Sequence, residues 1–249
     1  MAYTPRTPLV KPVSGGSVVL PNLQYFDDFL VGPGFTANNA TIASAQGKFS
    51  ELADHGEWLV TVVDGGADEG ETIGLLDSQT GGQVQFVTND ADNDLLSMQL
   101  NGEGWKLHAT NRLLFEIRLH VADFSEIDWF VGMSITGTGI ITDGADYATS
   151  DLVGFGCGDS TGNIDAVTSK DSTETVTDTT VDLEDGTFIV LRLEATTTNV
   201  DFYVDGTLTT STTTNIPDDE HMTPTMEFRN DGAVAQTATV DYILVNQAR

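Results

Sequence analysis

The sequence predicts an all-β fold, a two-sheet antiparallel jelly-roll sandwich with an extended N-terminal arm. Three observations carry that prediction. NRLLFEIRLHVAD alternates cleanly, with Leu113, Phe115, Ile117, Leu119 and Val121 on one face and Leu114, Glu116, Arg118 and His120 on the other. A period of two marks a strand with one face on a core, and the same residues fit a helical period poorly. The stretch from Phe188 to Arg249 then breaks into four short strands: FIVLRLEAT, VDFYVDGTLTTST, TPTMEFRN and ATVDYILVNQ. The second of these turns on Asp205-Gly206, a dipeptide that supplies the positive φ angles of a tight hairpin. Finally, helical signals are nearly absent, and single turns are expected only near Ser125 to Asp128 and Asp218 to His221.

Along the chain, residues 1–24 stand apart from the rest. Pro5, Pro8, Pro12 and Pro21, the Gly15-Gly16 pair and the basic residues Arg6 and Lys11 cannot form a regular helix, and they predict an extended arm. Residues 25–249 are expected to form one sandwich. YFDDFL opens it; GEWLVTVVDGG, GGQVQFVTND and LLSMQLNG follow as strands between acidic turns. DWFVGMSIT and DLVGFGCGD carry glycines inside strands, which predicts bulges or close backbone approach. TSKDSTETVTDTT, Thr168 to Thr180, suits an exposed edge strand or a long hairpin because its threonines are β-branched. A chain of 249 residues is large enough for a substantial core without metal or disulfide staples.

Charge narrows the function. Asp and Glu number 38 against 10 Lys and Arg, a formal net charge of −28. That balance argues against direct nucleic-acid binding, which needs clustered cations to replace counterions, and against an anionic membrane surface. No run approaches the ~20 apolar residues of a membrane-spanning helix, and MAYTPRTPLVKPVSGG has no apolar core of signal-peptide length. Synthesis in the cytoplasm is therefore expected, with release by a route such as virion assembly and lysis. The single cysteine, Cys157, sits in the apolar run LVGFGCG and reads as a small buried residue.

Candidate chemistry is sparse. Asp90, Asp92 and Asp94 alternate as calcium ligands do, but Leu95 and Asn101 stand where a helix-loop-helix calcium site needs Gly and Glu. Asp64, Asp68, Glu69 and Glu71 form a second acidic turn, and solvated loops are the expected state of both. His55, His108, His120 and His221 show no metal-ligand spacing. Neither a nucleophile elbow nor a phosphate-binding loop is present. Trp58 and Trp129 sit in apolar strands and read as core, whereas Trp105, in NGEGWKLH, reads as a surface platform for sugar stacking.

The strand, the FYVDG hairpin, the excursion through Ile216 and Pro217 and the closing VDYILV strand together resemble the C-terminal half of concanavalin A-like lectin/glucanase sandwiches. Laminarinase/lichenase-type hydrolases of that fold carry Glu-x-Asp-x-x-Glu on one strand, since retaining hydrolysis needs two carboxyls about 5 Å apart. Here Glu126 and Asp128 match and Val131 stands in place of the acid/base, so the resemblance implies a chain that is not an enzyme. The arm, the FDDF opening, FEIRLHV, DWFVGMSI, DLVGFGCGD and VDYILVNQ resemble, in overall style, tailed-bacteriophage virion proteins of the capsid decoration (cement) class. That resemblance implies a non-enzymatic protein on the capsid exterior, without cofactor. Its partners would be the major capsid protein and copies of itself, in a homo-oligomer with a trimer as the natural form. Arg6, Lys11 and Pro12 of the arm would be the partner-binding residues. The alternative is a carbohydrate-binding module or adhesin of a phage fibre or tail that uses the concave face of the sandwich.

Overall fold

A computed structural model describes residues 23–27, 29, 40–41, 58–63, 70–76, 82–142, 147, 150–158 and 160–248. Arg6, Lys11 and Pro12, and with them residues 1–22 of the arm, lie outside the described residues, while Leu23 and Gln24 open the first strand. The strands are β1 Leu23–Asp27, β2 Ala40–Thr41, β3 Trp58–Val63, β4 Thr72–Leu75, β5 Val84–Val87, β6 Leu95–Leu100, β7 Leu113–Val121 and β8 Ile127–Ser134. They continue as β9 Leu152–Cys157, β10 Asn163–Lys170, β11 Thr173–Asp182, β12 Ile189–Ala195, β13 Val200–Val204, β14 Thr207–Thr212, β15 Thr223–Asn230 and β16 Thr237–Gln247. They form a nine-stranded sheet ordered β14-β13-β12-β7-β16-β5-β4-β2, with β1 also on β16, and a seven-stranded sheet ordered β11-β10-β9-β8-β15-β6-β3. Every named strand pair is antiparallel. The fold is a concanavalin A-like sandwich.

Alternation builds the core. β7 and β12 bury every second residue, as a strand with one face on a core must. Phe115, Ile117, Leu191, Leu193, Phe202, Ile243 and Val245 from one sheet meet Met98, Trp129, Val131, Phe155, Met226 and Phe228 from the other. Two hairpins close on two residues each. Asp205 and Gly206 take φ of 48° and 77° between Val204 and Thr207, as the sequence predicts. Asp171 and Ser172 do the same at 51° and 65° between Lys170 and Thr173, so the Thr-rich segment is a hairpin with β11 as its exposed edge strand. At the opening FDDF, Asp27 accepts from the Phe29 amide at 2.8 Å, the Tyr25 hydroxyl at 3.1 Å and the Trp58 indole at 3.1 Å. That polar knot ties β1 to the core beside Phe29.

Two local expectations meet different ends. A 3₁₀ turn at Phe124–Glu126 forms under an Asp123 cap, close to where one was expected. No helical turn forms over 218–221; the acidic segment is bent and held by lysines. Lys170 pairs with Asp218, and Lys106 donates to the Asp219 carbonyl at 2.6 Å. Among the described residues, no helix is long and apolar enough to cross a membrane.

Candidate functional site

The outer face of the seven-stranded sheet has its central strands β8, β9 and β15 buried on both sides. Small residues make this possible. Gly132 pairs with Gly154 across β8 and β9, and the Phe130 ring lies against both. Ile140, Ile141 and Tyr147 from the β8–β9 connection then pack on Phe130, Leu152 and Val167 as a second apolar cluster. A Cβ on Gly156 would stand 2.6 Å from the Tyr147 ring and 2.8 Å from the Trp129 carbonyl. Gly156→Ala is expected to cost about 1–3 kcal/mol as overpacking, read as a lower Tm in thermal unfolding; an unchanged Tm would mean that Tyr147 yields freely.

Beneath that cover lies a charged cluster. Asp128 on β8 pairs in register with Arg229 on β15, and Glu227 stands two residues from Arg229 on the same outer face. The Asp128 carboxylate accepts from the Ser160 amide at 3.1 Å and hydroxyl at 3.0 Å, and lies 3.9 Å from the Arg229 guanidinium. Burial pushes its pKa up to about 6, against the Ser160 hydrogen bond and with the help of Asp231. Glu227 accepts from the Ile141 amide at 2.8 Å, and the amides of Ile140 and Gly139 also stabilise its charge. Burial nevertheless pushes its carboxyl up to about 7. Two carboxyls that hold protons near neutrality could exchange them with a ligand, but both are fully enclosed here.

The sequence-level candidates distribute differently from expectation. Glu126 belongs to the 3₁₀ turn, Asp128 faces outward, and Val131 faces the core, so the three do not share a cleft. Trp105 is only 6% exposed and exchanges backbone hydrogen bonds with Met222, so the surface platform expected there is instead core. Trp58 and Trp129 are core as expected. The calcium trio does not converge: Asp94 is buried and accepts from the Ala91 amide, while Asp90 and Asp92 are exposed. The carbonyls of Asn89 and Ala91, which a cation would need, accept from the Asn230 side-chain amide instead. Among the described residues, no group of three or more His, Cys, Asp or Glu is placed to hold a metal ion. Cys157 is buried.

The outer face of the nine-stranded sheet is open, and register lines up an unbroken row across six strands. Leu208 on β14 pairs with Tyr203 on β13, Tyr203 with Arg192 on β12, and Arg192 with Glu116 on β7. Glu116 pairs with Leu244 on β16, and Leu244 with Phe26 on β1. Five inter-strand steps make the row about 24 Å long. Its ends are the most exposed, Leu208 at 52% and Phe26 at 54%. The Arg192 guanidinium sits 4.4 Å over the Tyr203 ring, and Tyr242 donates its hydroxyl to Glu116 at 2.9 Å. Burial, then that hydrogen bond, pushes the Tyr242 pKa up to about 12. A second row of Ser211, Asp201, Glu194, Leu114, Asn246 and Gln24, polar at every position but Leu114, flanks it. Sequence reading missed this row because its members come from six separate strands.

No family model matches the chain, and no curated protein matches it. Its fold is similar to several solved structures. A protein of unknown function, SO2946 from Shewanella oneidensis MR-1, is 16% identical over 93% of this chain and 89% of that one, with a TM-score of 0.55. LamA from Zobellia galactanivorans, as an E269S variant in complex with laminaritriose and laminaritetraose, is 12% identical over 89% of this chain and 97% of that one, at a TM-score of 0.56. A second structure, LamAcat from the same organism, is 11% identical over 89% and 96%, also at 0.56. These neighbours establish the sandwich and lend nothing to a virion role. They also correct one expectation, that of a non-enzyme: the fold is shared with enzymes, so a non-enzymatic role does not follow from it.

Proposed function

We propose that the chain is a carbohydrate-binding protein that takes its glycan along the outer face of the nine-stranded sheet. The observation that carries this reading is the register row Leu208, Tyr203, Arg192, Glu116, Leu244, Phe26. A sugar presents apolar C–H patches and a ring of hydroxyls, so its site needs an apolar or aromatic floor with donors and acceptors beside it. Phe26, Leu244 and Leu208 supply the floor; Tyr242 and Glu116, bonded to one another, and Arg192, held by Glu194 and the Tyr203 ring, supply hydrogen-bonding groups in fixed geometry. The outer face of the seven-stranded sheet is covered by Ile140, Ile141 and Tyr147, whereas this row lies on the outer face of the other sheet. That a protein of the same fold is seen with laminaritriose and laminaritetraose supports the chemistry.

Affinity electrophoresis through gels cast with soluble polysaccharides tests the reading. At least one polymer should retard the protein, and Phe26→Ala should weaken that retardation about tenfold, a loss of about 1.4 kcal/mol. The Tm should stay unchanged, because Phe26 is more than half exposed. Undiminished retardation in Phe26→Ala would remove the row from the site.

A further inference from the structure

We infer that the ligand of this face is an uncharged polysaccharide, lying across the strands and long enough to reach both Phe26 and Leu208. The inference rests on the carbohydrate-binding reading and adds to it the charge and extent of the ligand. Three arginines come from the strands of this face or their approaches, and each is already matched. Arg112 pairs with Glu194 at 2.5 Å and lies 3.7 Å from Asp201. Arg192 pairs with Glu194 at 3.3 Å, and Arg118 with Asp241 at 2.5 Å. Arg118 also stacks 4.0 Å over the Phe188 ring. Glu116 faces the row too, so four carboxylates answer three guanidiniums.

A uronate or sulfate would have to displace one of those carboxylates and enter the field of a chain with net charge −28. A neutral sugar meets no such barrier. Guanidinium N–H groups left over from the pairs donate to its hydroxyls, while the free lone pairs of Glu116, Glu194 and Asp201 accept from them. The flanking amides of Asn246 and Gln24 extend the same lattice toward β1. Because the apolar contacts sit at the two ends of the row, a short oligosaccharide can cover only one of them.

The test uses one gel series with neutral polymers (a glucan, a mannan and a galactan) and acidic ones (polygalacturonate, alginate and a sulfated galactan), at low and at 0.5 M salt. The expected result is retardation by a neutral polymer at both salts and none by the acidic set. Phe26→Ala and Leu208→Ala should each weaken polymer binding, and a trisaccharide of the retained polymer should compete at least about tenfold less well than the polymer. Glu194→Gln with Asp241→Asn, which frees Arg192 and Arg118 from their carboxylates, should create retardation by acidic polymers at low salt. Each single variant serves in its place if the pair does not fold. Acidic polymers that retard the wild type would overturn the inference and leave the carbohydrate reading intact. No retardation by either set would overturn that reading as well. A dimer in solution that Phe26→Ala returns to monomer would overturn both, since the face would then be a seam between copies.

Discussion

Replacing Glu227 by Ala should cost several kcal/mol of stability and free the β8–β9 connection from the sheet. The carboxylate is the acceptor for the Ile141 amide and is also favoured by the amides of Ile140 and Gly139, all in a region closed to water. Each buried donor left without an acceptor costs about 1–3 kcal/mol. Arg229 would in addition lose one of its nearby carboxylates. Glu227→Gln keeps an acceptor oxygen in the same place and should cost far less. The two variants also separate the pH behaviour. The folded-state carboxyl titrates at about 7, above its ordinary value of 4.5, so the native state binds a proton that the unfolded chain releases. Stability from this group is therefore fully present below about pH 4.5 and is lost as the pH rises through about 7. The span is about 3 kcal/mol. Asp128, raised from 3.8 to about 6, acts in the same sense over a lower window. Urea midpoints measured at pH 5 and pH 8 should fall toward pH 8 in the wild type and much less in Glu227→Gln. An equal fall in both proteins would place the titration elsewhere.

The same residues show what could be read from the chain. Leu113–Val121 and Ile189–Ala195 are legible as half-buried strands because alternation is a local property, and Asp205-Gly206 is legible as a turn because its backbone demand is local too. Glu227 looks like an ordinary outward-facing residue in TPTMEFRN. Its burial comes from a connection more than eighty residues away in sequence, Ile141 being 86 positions earlier. Trp105 misleads for a related reason. Its polar neighbours suggest solvent, but the Met222 backbone crosses over it and closes the core. The Asp90, Asp92 and Asp94 spacing is real, yet the amide of Asn230 from β15 occupies the carbonyls that would complete a cation site. The binding row is the extreme case, since nothing in the sequence around Phe26, Glu116, Arg192 or Tyr203 announces that strand order will set them side by side.

Asp27→Ala should be the other large effect, about 2–4 kcal/mol, and it reaches function through β1. The side chain accepts from the Phe29 amide, the Tyr25 hydroxyl and the Trp58 indole. Two of those donors belong to residues of the core, Phe29 and Trp58, which would keep their positions only with an unpaired N–H. Asp27 also stands at the last register pair of β1 with β16, opposite Ile243. β1 is only five residues long and pairs with β16, so the knot at its end supplies much of its attachment. Loosening it moves Phe26, one residue away, off the end of the row. Thermal unfolding should show the lowered stability, and affinity electrophoresis well below the lowered Tm should show binding weakened to the level of Phe26→Ala. Asp27→Asn retains one acceptor oxygen and should fall between the two. If Asp27→Ala lost stability but bound glycan like the wild type, β1 would be held by its backbone ladder alone, and Phe26 would owe its position to Leu244 and Tyr242 beside it.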